Sequence, residues 1–264
     1  MASSLDLLHL ATRAAERAGE YLRSVERPSD PAEWTRKGRG DFVTEVDRGA
    51  EANIREVLLS GEPGSTVVGE ELSPVVVSRG LVWIVDPLDG TTNFLHGVQA
   101  HAVSIAAAVD GVLEAGVVLE VPVNRMFRAS RGNGAWCGDQ RLRVSRIVDP
   151  ADALIGTGFP FTDLSRLEEY IGQLRRVVQS TSGVRRPGAA ALDMASVASG
   201  SFDGFWEQRL SAWDIAAGML LVREAGGVVT DFSGRDLGVE HSAVVAGNPP
   251  MHEWLLKQVQ GETR

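Results

Sequence analysis

The sequence predicts an α+β protein. Three observations carry the prediction: a helical period in the N-terminal stretch, short β-branched runs through the middle, and alternating helix and strand patterns after Pro150. From Leu7, the positions Leu7, Leu10, Ala11, Ala14, Ala18, Tyr21, Leu22 and Val25 recur at three- and four-residue steps, which puts them on one helical face that ends before Pro28. A polar stretch with Pro28, Pro31, Gly38 and Gly40 follows. Val43, Val46, Ala50, Ile54, Val57 and Leu58 then restart the helical period, with Thr44 and Asp47 at capping-box spacing. Beyond Gly61–Ser65, the runs Thr66–Val68 and Leu81–Val85 read as strands that deliver the chain into acidic residues, which are therefore expected at strand ends. Ala102–Val109 and Val112–Val121, separated by Asp110-Gly111, form a hairpin pattern, and Arg125–Ala129 and Arg141–Val144 are expected to extend its antiparallel sheet. The later pattern runs strand Ala153–Thr157, helix Asp163–Gln179, helix Gly188–Ser199 and strand Phe202–Trp206. Asp214–Ala225 is a nearly all-apolar helix, expected to be buried and stopped by Gly226-Gly227. Strands Val228–Thr230 and Ala243–Ala246 and a helix Pro249–Val259 complete the chain, with no internal repeat or linker.

Bulk properties exclude several function classes. At 264 residues and 44% hydrophobic, the chain can bury a substantial core, and its formal charge of −9 argues against nucleic-acid backbones as partners. The doublets Arg175-Arg176 and Arg185-Arg186 read as solvated surface charge. Cys137 is the sole cysteine, so neither an intrachain disulfide nor a cysteine-based zinc site can be built. A reducing compartment fits, and with no signal-peptide order and no apolar run near the roughly 20 residues of a membrane span, the cytoplasm is the expected location. His9, His96, His101, His241 and His252 form no spaced ligand set.

The most informative segment is Asp86-Pro87-Leu88-Asp89-Gly90-Thr91-Thr92-Asn93-Phe94. Two carboxylates leave a strand end across a proline and meet a Gly-Thr-Thr segment able to open a helix. Mg²⁺ is a hard cation that takes carboxylates, phosphate and water, so the arrangement suits it. Backbone N–H groups near Gly90 and Thr91 would face a phosphate. Taken alone, the same residues read equally well as an Asx-turn and helix cap. Glu70-Glu71 alone would be solvated acids, and Asp47 and Asp214 alone would be helix caps.

The combination resembles the inositol monophosphatase family of lithium-sensitive, metal-dependent phosphatases. The resemblance rests on Asp41-Phe42-Val43-Thr44-Glu45-Val46-Asp47, Gly69-Glu70-Glu71, Asp86–Phe94, Gly188-Ala189-Ala190-Ala191 and Trp213-Asp214-Ile215-Ala216-Ala217-Gly218, in family order over essentially the whole chain. It implies a layered α-β-α-β-α sandwich. Residues 1–150 would carry an antiparallel sheet and most metal ligands, and 151–264 a second sheet and the specificity residues, packed as one unit. It also implies two to three Mg²⁺ ions per site: one held by Glu70, Asp86 and the Leu88 carbonyl, a second by Asp86, Asp89 and Asp214, and a looser third touching Glu70. Thr91 and Asp47 would activate the attacking water together with the Glu70 metal site, and the Gly90 and Thr91 amides would bind phosphate. A homodimer is expected.

For the substrate, Glu207 matches the family glutamate that accepts hydrogen bonds from inositol hydroxyls, with Asp89 and the Ala190 backbone adding contacts. Inositol 1-phosphate is the expected substrate, with other polyol or sugar phosphates near it. Gly156-Thr157-Gly158-Phe159-Pro160-Phe161 resembles the bacterial branch, where tolerance is broad. The family also holds fructose-1,6-bisphosphatases, histidinol phosphatases and nucleotide 3′-phosphatases. Thr92, in place of the lysine of many histidinol phosphatases, and Glu207 both favour inositol phosphate. Some bacterial relatives bind the transcription machinery, a non-enzymatic alternative for which the Arg185-Arg186 pair offers a surface.

Overall fold

Ser3 opens the first helix by a reciprocal cap: its hydroxyl accepts from the Asp6 amide at 3.2 Å, and Asp6 accepts from the Ser3 amide at 3.0 Å. The computed structural model describes residues 2–28, 30–38, 41–73, 79–239 and 242–261; Gly40 and His241 lie outside them. Helix α1 (Ser4–Ser24), strands β1 (Thr35–Gly38) and β2 (Asp41–Val43) and helix α2 (Glu45–Gly61) come first. They are followed by β3 (Thr66–Gly69), β4 (Leu81–Asp89), the short α3 (Thr91–His96), β5 (Ala102–Val109), β6 (Val112–Glu120), β7 (Arg125–Ser130), β8 (Gly134–Cys137) and β9 (Gln140–Arg141). Then come β10 (Leu154–Thr157), α4 (Leu167–Val178), β11 (Gly183–Arg185), α5 (Ala190–Ala198), β12 (Gly204–Leu210), α6 (Ala212–Glu224), β13 (Val228–Thr230), β14 (Ser242–Gly247) and α7 (Pro249–Gln260).

Strands β3 to β9 form a seven-stranded sheet in sequence order, and the second sheet runs β11-β10-β12-β14-β13. Three apolar clusters bind these sheets into five layers. Leu7, Ala11 and Leu22 of α1 and Ile54 and Leu58 of α2 cover the sheet face that shows Trp83, Val85, Ile105 and Leu119. The opposite face, with Val82, Ile84, Ala106 and Val118, meets α5 and α6, which also pack on Phe205, Val244 and Ala246 of the second sheet. Tyr170 and Val177 of α4 and Met251 and Leu255 of α7 close the outer face over Trp206 and Val245. The order is α-β-α-β-α, as the resemblance implies. Helix α6 is apolar all round because it has a sheet on either side. Gly116 allows its approach: a Cβ there would come within 3.0 Å of the Ala217 carbonyl oxygen.

Several expectations are corrected. The first sheet is mixed, because β3 runs parallel to β4 while every later neighbour is antiparallel. The strand expected at Leu81–Val85 continues through Asp86 and Pro87 to Asp89, so the acids lie within it. Of Arg141–Val144 only Arg141 is in a strand, since the Val144 amide turns away to the Ala225 carbonyl at the end of α6, 3.1 Å off. Strands β8 and β11, short and glycine-led, lack the β-branched runs that marked the others. The helix expected from Asp163 starts with a 3-10 turn at Leu164–Arg166, and α5 starts only at Ala190, because Gly188 at φ +93° is left-handed. Strand β12 extends past Trp206 to Leu210, which moves Glu207 from a strand end into the strand.

Candidate active site

The parallel pairing of β3 with β4 places both C-terminal ends at one edge of the sheet. Gly69 lies opposite Val85, and the Glu70 amide donates to the Val85 carbonyl at 3.2 Å, so Glu70 emerges beside Asp86. Asp86 and Asp89 are three apart, which in a regular strand would turn them to opposite faces. A β-bulge reverses that: Asp86 pairs with Ser104 and Asp89 with Ala102, three residues of β4 against two of β5. Pro87, which has no N–H to offer a ladder, sits in the bulge. Both carboxylates therefore face the space between the sheets, on the side of Val82 and Ile84, where α5 and α6 begin.

Asp214 approaches from the first turn of α6. Ser211, not Asp214, is the N-cap, and Asp214 Oδ2 accepts from the Ser211 amide at 2.7 Å. The Ala191 amide, in the first turn of α5, donates to Asp89 Oδ2 at 2.8 Å. Gly90, left-handed at φ +88°, lies against the Gly188-Ala189 segment: a Cβ there would contact Ala189 Cβ and the Gly188 carbonyl oxygen at 3.4 Å and press on the Ala100 carbonyl oxygen at 2.9 Å. Ala190 thus stands next to Asp89 and Gly90. Asp86 Oδ1 accepts from the Leu88 amide at 2.9 Å. The Leu88 side chain belongs to the α1–α2 core, while its carbonyl lies 3.0 Å from the Thr91 hydroxyl.

Asp47 is buried and does two things. Its Oδ2 accepts from the Thr44 amide at 2.9 Å, completing the cap of α2, and its Oδ1 accepts from the Thr91 hydroxyl at 3.0 Å. Capping and the contact with Thr91 coexist. On the other wall, a second bulge in β12, with Arg209 at φ +59°, follows Glu207 within the strand. Glu207 shares the face of Phe205, toward the inter-sheet space. A Cβ on Gly158 would overlap its carboxylate and force it to move, so glycine there leaves room for Glu207 in this position. Glu70, Phe159, Phe161, Arg186, Glu207, Trp213 and Asp214 line one cavity of about 470 Å³, large enough for a small phosphorylated ligand.

The electrostatics follow from burial and like charge. The Asp86 carboxyl is held well above the usual range by burial first, then by Glu70, Asp89 and Asp214. Asp89 is likewise raised by burial and Asp214, against the Ala191 hydrogen bond. Glu207 is pushed up to about 8 by burial and by Asp214, with Arg186 opposing. Burial also raises Asp47, with its Thr44 and Thr91 hydrogen bonds opposing. Among the described residues, no three His, Cys, Asp or Glu side chains already converge on one coordinating point. Four hard-oxygen carboxylates and a backbone carbonyl nevertheless form the donor set that a divalent cation such as Mg²⁺ takes. His101 and His252 are buried, and burial holds both below the usual value; His252 Nε2 lies 2.9 Å from the Thr230 hydroxyl.

Sequence reasoning assigned no role to three residues at this site. Asn93 Nδ2 donates to Ala100 and Pro187 carbonyls at 2.7 and 2.9 Å, tying the end of α3 to the segment before α5; nothing local signals that contact. Arg186, expected as surface charge, lies over the Phe159 and Phe161 rings at 5.4 and 5.0 Å from their centroids. Glu51 is fully buried on α2 four residues after Asp47, and an acid on an otherwise apolar helical face was a signal available in the sequence.

Comparison with known proteins agrees with this architecture. The family model described as the inositol monophosphatase family matches residues 5–264. A Pseudomonas aeruginosa protein named Nus factor SuhB is 47% identical over 260 residues, covering 96% of each chain. An inositol-1-monophosphatase of Mesorhizobium japonicum is 44% identical over 255 residues, again covering 96% of each. The crystal structure of the extragenic suppressor protein suhB from Bartonella henselae superposes with a TM-score of 0.89 at 38% identity, covering 97% of this chain and 99% of that one. With the family model spanning nearly the whole chain and a relative 47% identical across 96% of it, the chain belongs to the inositol monophosphatase family.

Proposed function

We propose that this protein is a Mg²⁺-dependent phosphomonoesterase acting on a small polyol monophosphate, with inositol 1-phosphate as the preferred substrate. The observation that supports this most is the crowding of acids around the buried Asp86, whose carboxyl feels the charges of Glu70, Asp89 and Asp214, in the same strand-to-helix segment whose Thr91 hydroxyl donates to Asp47. A pure binding surface has no physical need of four neighbouring acids, whose repulsion destabilises the fold without a cation. Glu70, Asp86, Asp89, Asp214 and the Leu88 carbonyl would hold two to three Mg²⁺ ions. When bound, the cations supply charge for the phosphoryl oxygens and lower the pKa of the attacking water.

The chain's own residues do the rest. Thr91, with its hydroxyl proton directed to Asp47 Oδ1, turns an oxygen lone pair toward water, so the water proton can pass to Thr91 as the Thr91 proton passes to Asp47. The water oxygen then bonds to phosphorus, the bond from phosphorus to the polyol oxygen breaks, and that oxygen takes a proton from solvent. The Gly90 and Thr91 amides orient the phosphate. Glu207, Asp89 and the Ala190 backbone face the polyol hydroxyls, with Glu207 as the acceptor that distinguishes a ring of hydroxyls from a second phosphate.

Phosphate release from inositol 1-phosphate, fructose 1,6-bisphosphate, histidinol phosphate and adenosine 3′,5′-bisphosphate, with and without Mg²⁺, tests the reading. The expected result is Mg²⁺-dependent preference for inositol 1-phosphate; preference for another member would keep the mechanism and overturn the substrate. Above about pH 8, where Glu207 is ionised, Glu207→Ala should lower kcat/KM for inositol 1-phosphate by about 10- to 100-fold, the loss of one or two hydrogen bonds to a charged group, and that for glycerol 2-phosphate much less. Equal losses would remove Glu207 from specificity.

A second role is supported by the relative named Nus factor SuhB, 47% identical over nearly the whole chain. This protein would also join a transcription complex, independently of turnover. Co-purification with RNA polymerase should then survive Asp86→Asn, and its absence from the unmodified protein would remove the second role.

A further inference from the structure

Helix α2 turns two acids toward the interior, Asp47 and Glu51, one helical turn apart on the same face. Asp47 reaches Thr91. Glu51, fully buried, reaches the other side of the reaction centre, beneath the turn that carries Glu70 and Glu71. Every amide of that turn has an acceptor. Gly69 and Ser73 bond to each other's carbonyls at 3.2 and 3.3 Å, and Glu70 donates to Val85 at 3.2 Å. The remaining two amides both go to Glu51: Glu71 N–H to Oε2 at 2.8 Å, and Leu72 N–H to Oε1 and Oε2 at 3.3 and 3.2 Å. The peptide planes that follow Glu70 are thus set by a side chain twenty residues earlier, not by the sheet.

The carboxylate is itself fixed. Arg55, one turn further along α2, has its Nη1 3.9 Å from Glu51 Oε1 and donates to the Val67 carbonyl at 3.2 Å and the Ser73 hydroxyl at 3.4 Å. Above it, a Cβ on Gly69 would overlap the Glu51 carboxylate and force it to move, so glycine lets the carboxylate lie directly under the end of β3. We propose that Glu51 is a positioning residue: it holds the Glu70-Glu71 turn in the orientation that presents Glu70 to a divalent cation. Helix α2 then fixes both sides of the centre, the water-activating pair through Asp47 and the cation site through Glu51. This rests on Glu70 being a cation ligand, as proposed above.

A merely structural Glu51 would affect folding stability and leave cation affinity alone. The test therefore uses the full chain, metal-free, with Mg²⁺ titrated calorimetrically and amide hydrogen exchange followed across residues 69–73. Glu51→Gln keeps one acceptor but loses the second and the ion pair with Arg55. It should weaken Mg²⁺ binding by about tenfold or more, as loss of an outer-shell partner does, with kcat at saturating Mg²⁺ near that of the unmodified protein and faster exchange at Glu71 and Leu72. Gly69→Ala, which displaces the carboxylate without removing it, should weaken binding similarly and serves if Glu51→Gln fails to fold. Unchanged Mg²⁺ affinity or unchanged exchange in these variants overturns the proposal. Asp86→Asn is the comparator: it should lose Mg²⁺ binding while leaving exchange at Glu71 and Leu72 intact. If Asp86→Asn binds Mg²⁺ as the unmodified protein does, the cation reading of the cluster is lost, and this role for Glu51 with it.

Discussion

Replacing Asp86 with asparagine is expected to lower turnover by about a thousandfold or more, on the order of 4 kcal/mol of transition-state stabilisation, while leaving the fold intact. The side chain is 2% exposed, has Glu70, Asp89 and Asp214 as charged neighbours, and is one of the carboxylates that would hold the cations. Asparagine is of nearly the same size, keeps the acceptor for the Leu88 amide and removes only the charge. In the metal-free protein that charge is a liability. A carboxyl whose folded pKa lies above its ordinary value of 3.8 binds its proton more tightly when folded. Its contribution to stability is fully present below that ordinary value and is lost as pH rises through the folded one. With EDTA present, Asp86→Asn should therefore melt about 2–6 °C above the unmodified protein at pH 8, and the gap should close below about pH 4. With Mg²⁺ present, the order should reverse, because the unmodified protein alone gains binding energy. Thermal melts at several pH values, paired with phosphate release, check both halves. Full activity would end the cation model; a gap that does not grow with pH would end the account of mutual repulsion.

Thr91→Ala should produce the second largest loss, about 10²- to 10⁴-fold in kcat, the range over which a positioned proton acceptor acts. The alanine removes the hydroxyl between Asp47 and Leu88 but no charge, so KM and Mg²⁺ affinity should change little. Thr91→Ser restores the oxygen and should recover most of the rate. Asp47→Asn is a poorer test, because Asp47 also caps α2, and its loss would mix a stability effect of about 1 kcal/mol with the chemistry. Steady-state kinetics on the Ala and Ser variants separate the roles. An Ala variant with an undiminished kcat would assign proton removal to another group.

Much of this was legible in the sequence because it depends on near neighbours along the chain. The face of α1 follows from its three- and four-residue spacing, the cap of α2 from Thr44 and Asp47, and the hairpin between β5 and β6 from Asp110-Gly111. Glu51 went unread although it lies on the buried face of α2, while the acids of the motifs were visible. Their directions were not. That Asp86 and Asp89 share a face depends on a bulge, which a spacing of three in a plain strand contradicts; that Glu70 joins them depends on parallel pairing of β3 with β4, which no pattern in the sequence announced. Glu207 looked like a strand-end acid and became part of the cavity wall because β12 runs on to a second bulge. Composition and period thus determined the elements, their buried faces and the stock of oxygen donors, since those follow from backbone preferences and apolar burial acting over a few residues. Only the tertiary structure decided which donors meet, because pairing register and the packing of α5 and α6 between two sheets join segments more than a hundred residues apart, as at Asp89 and Ala191, and no local rule carries that information.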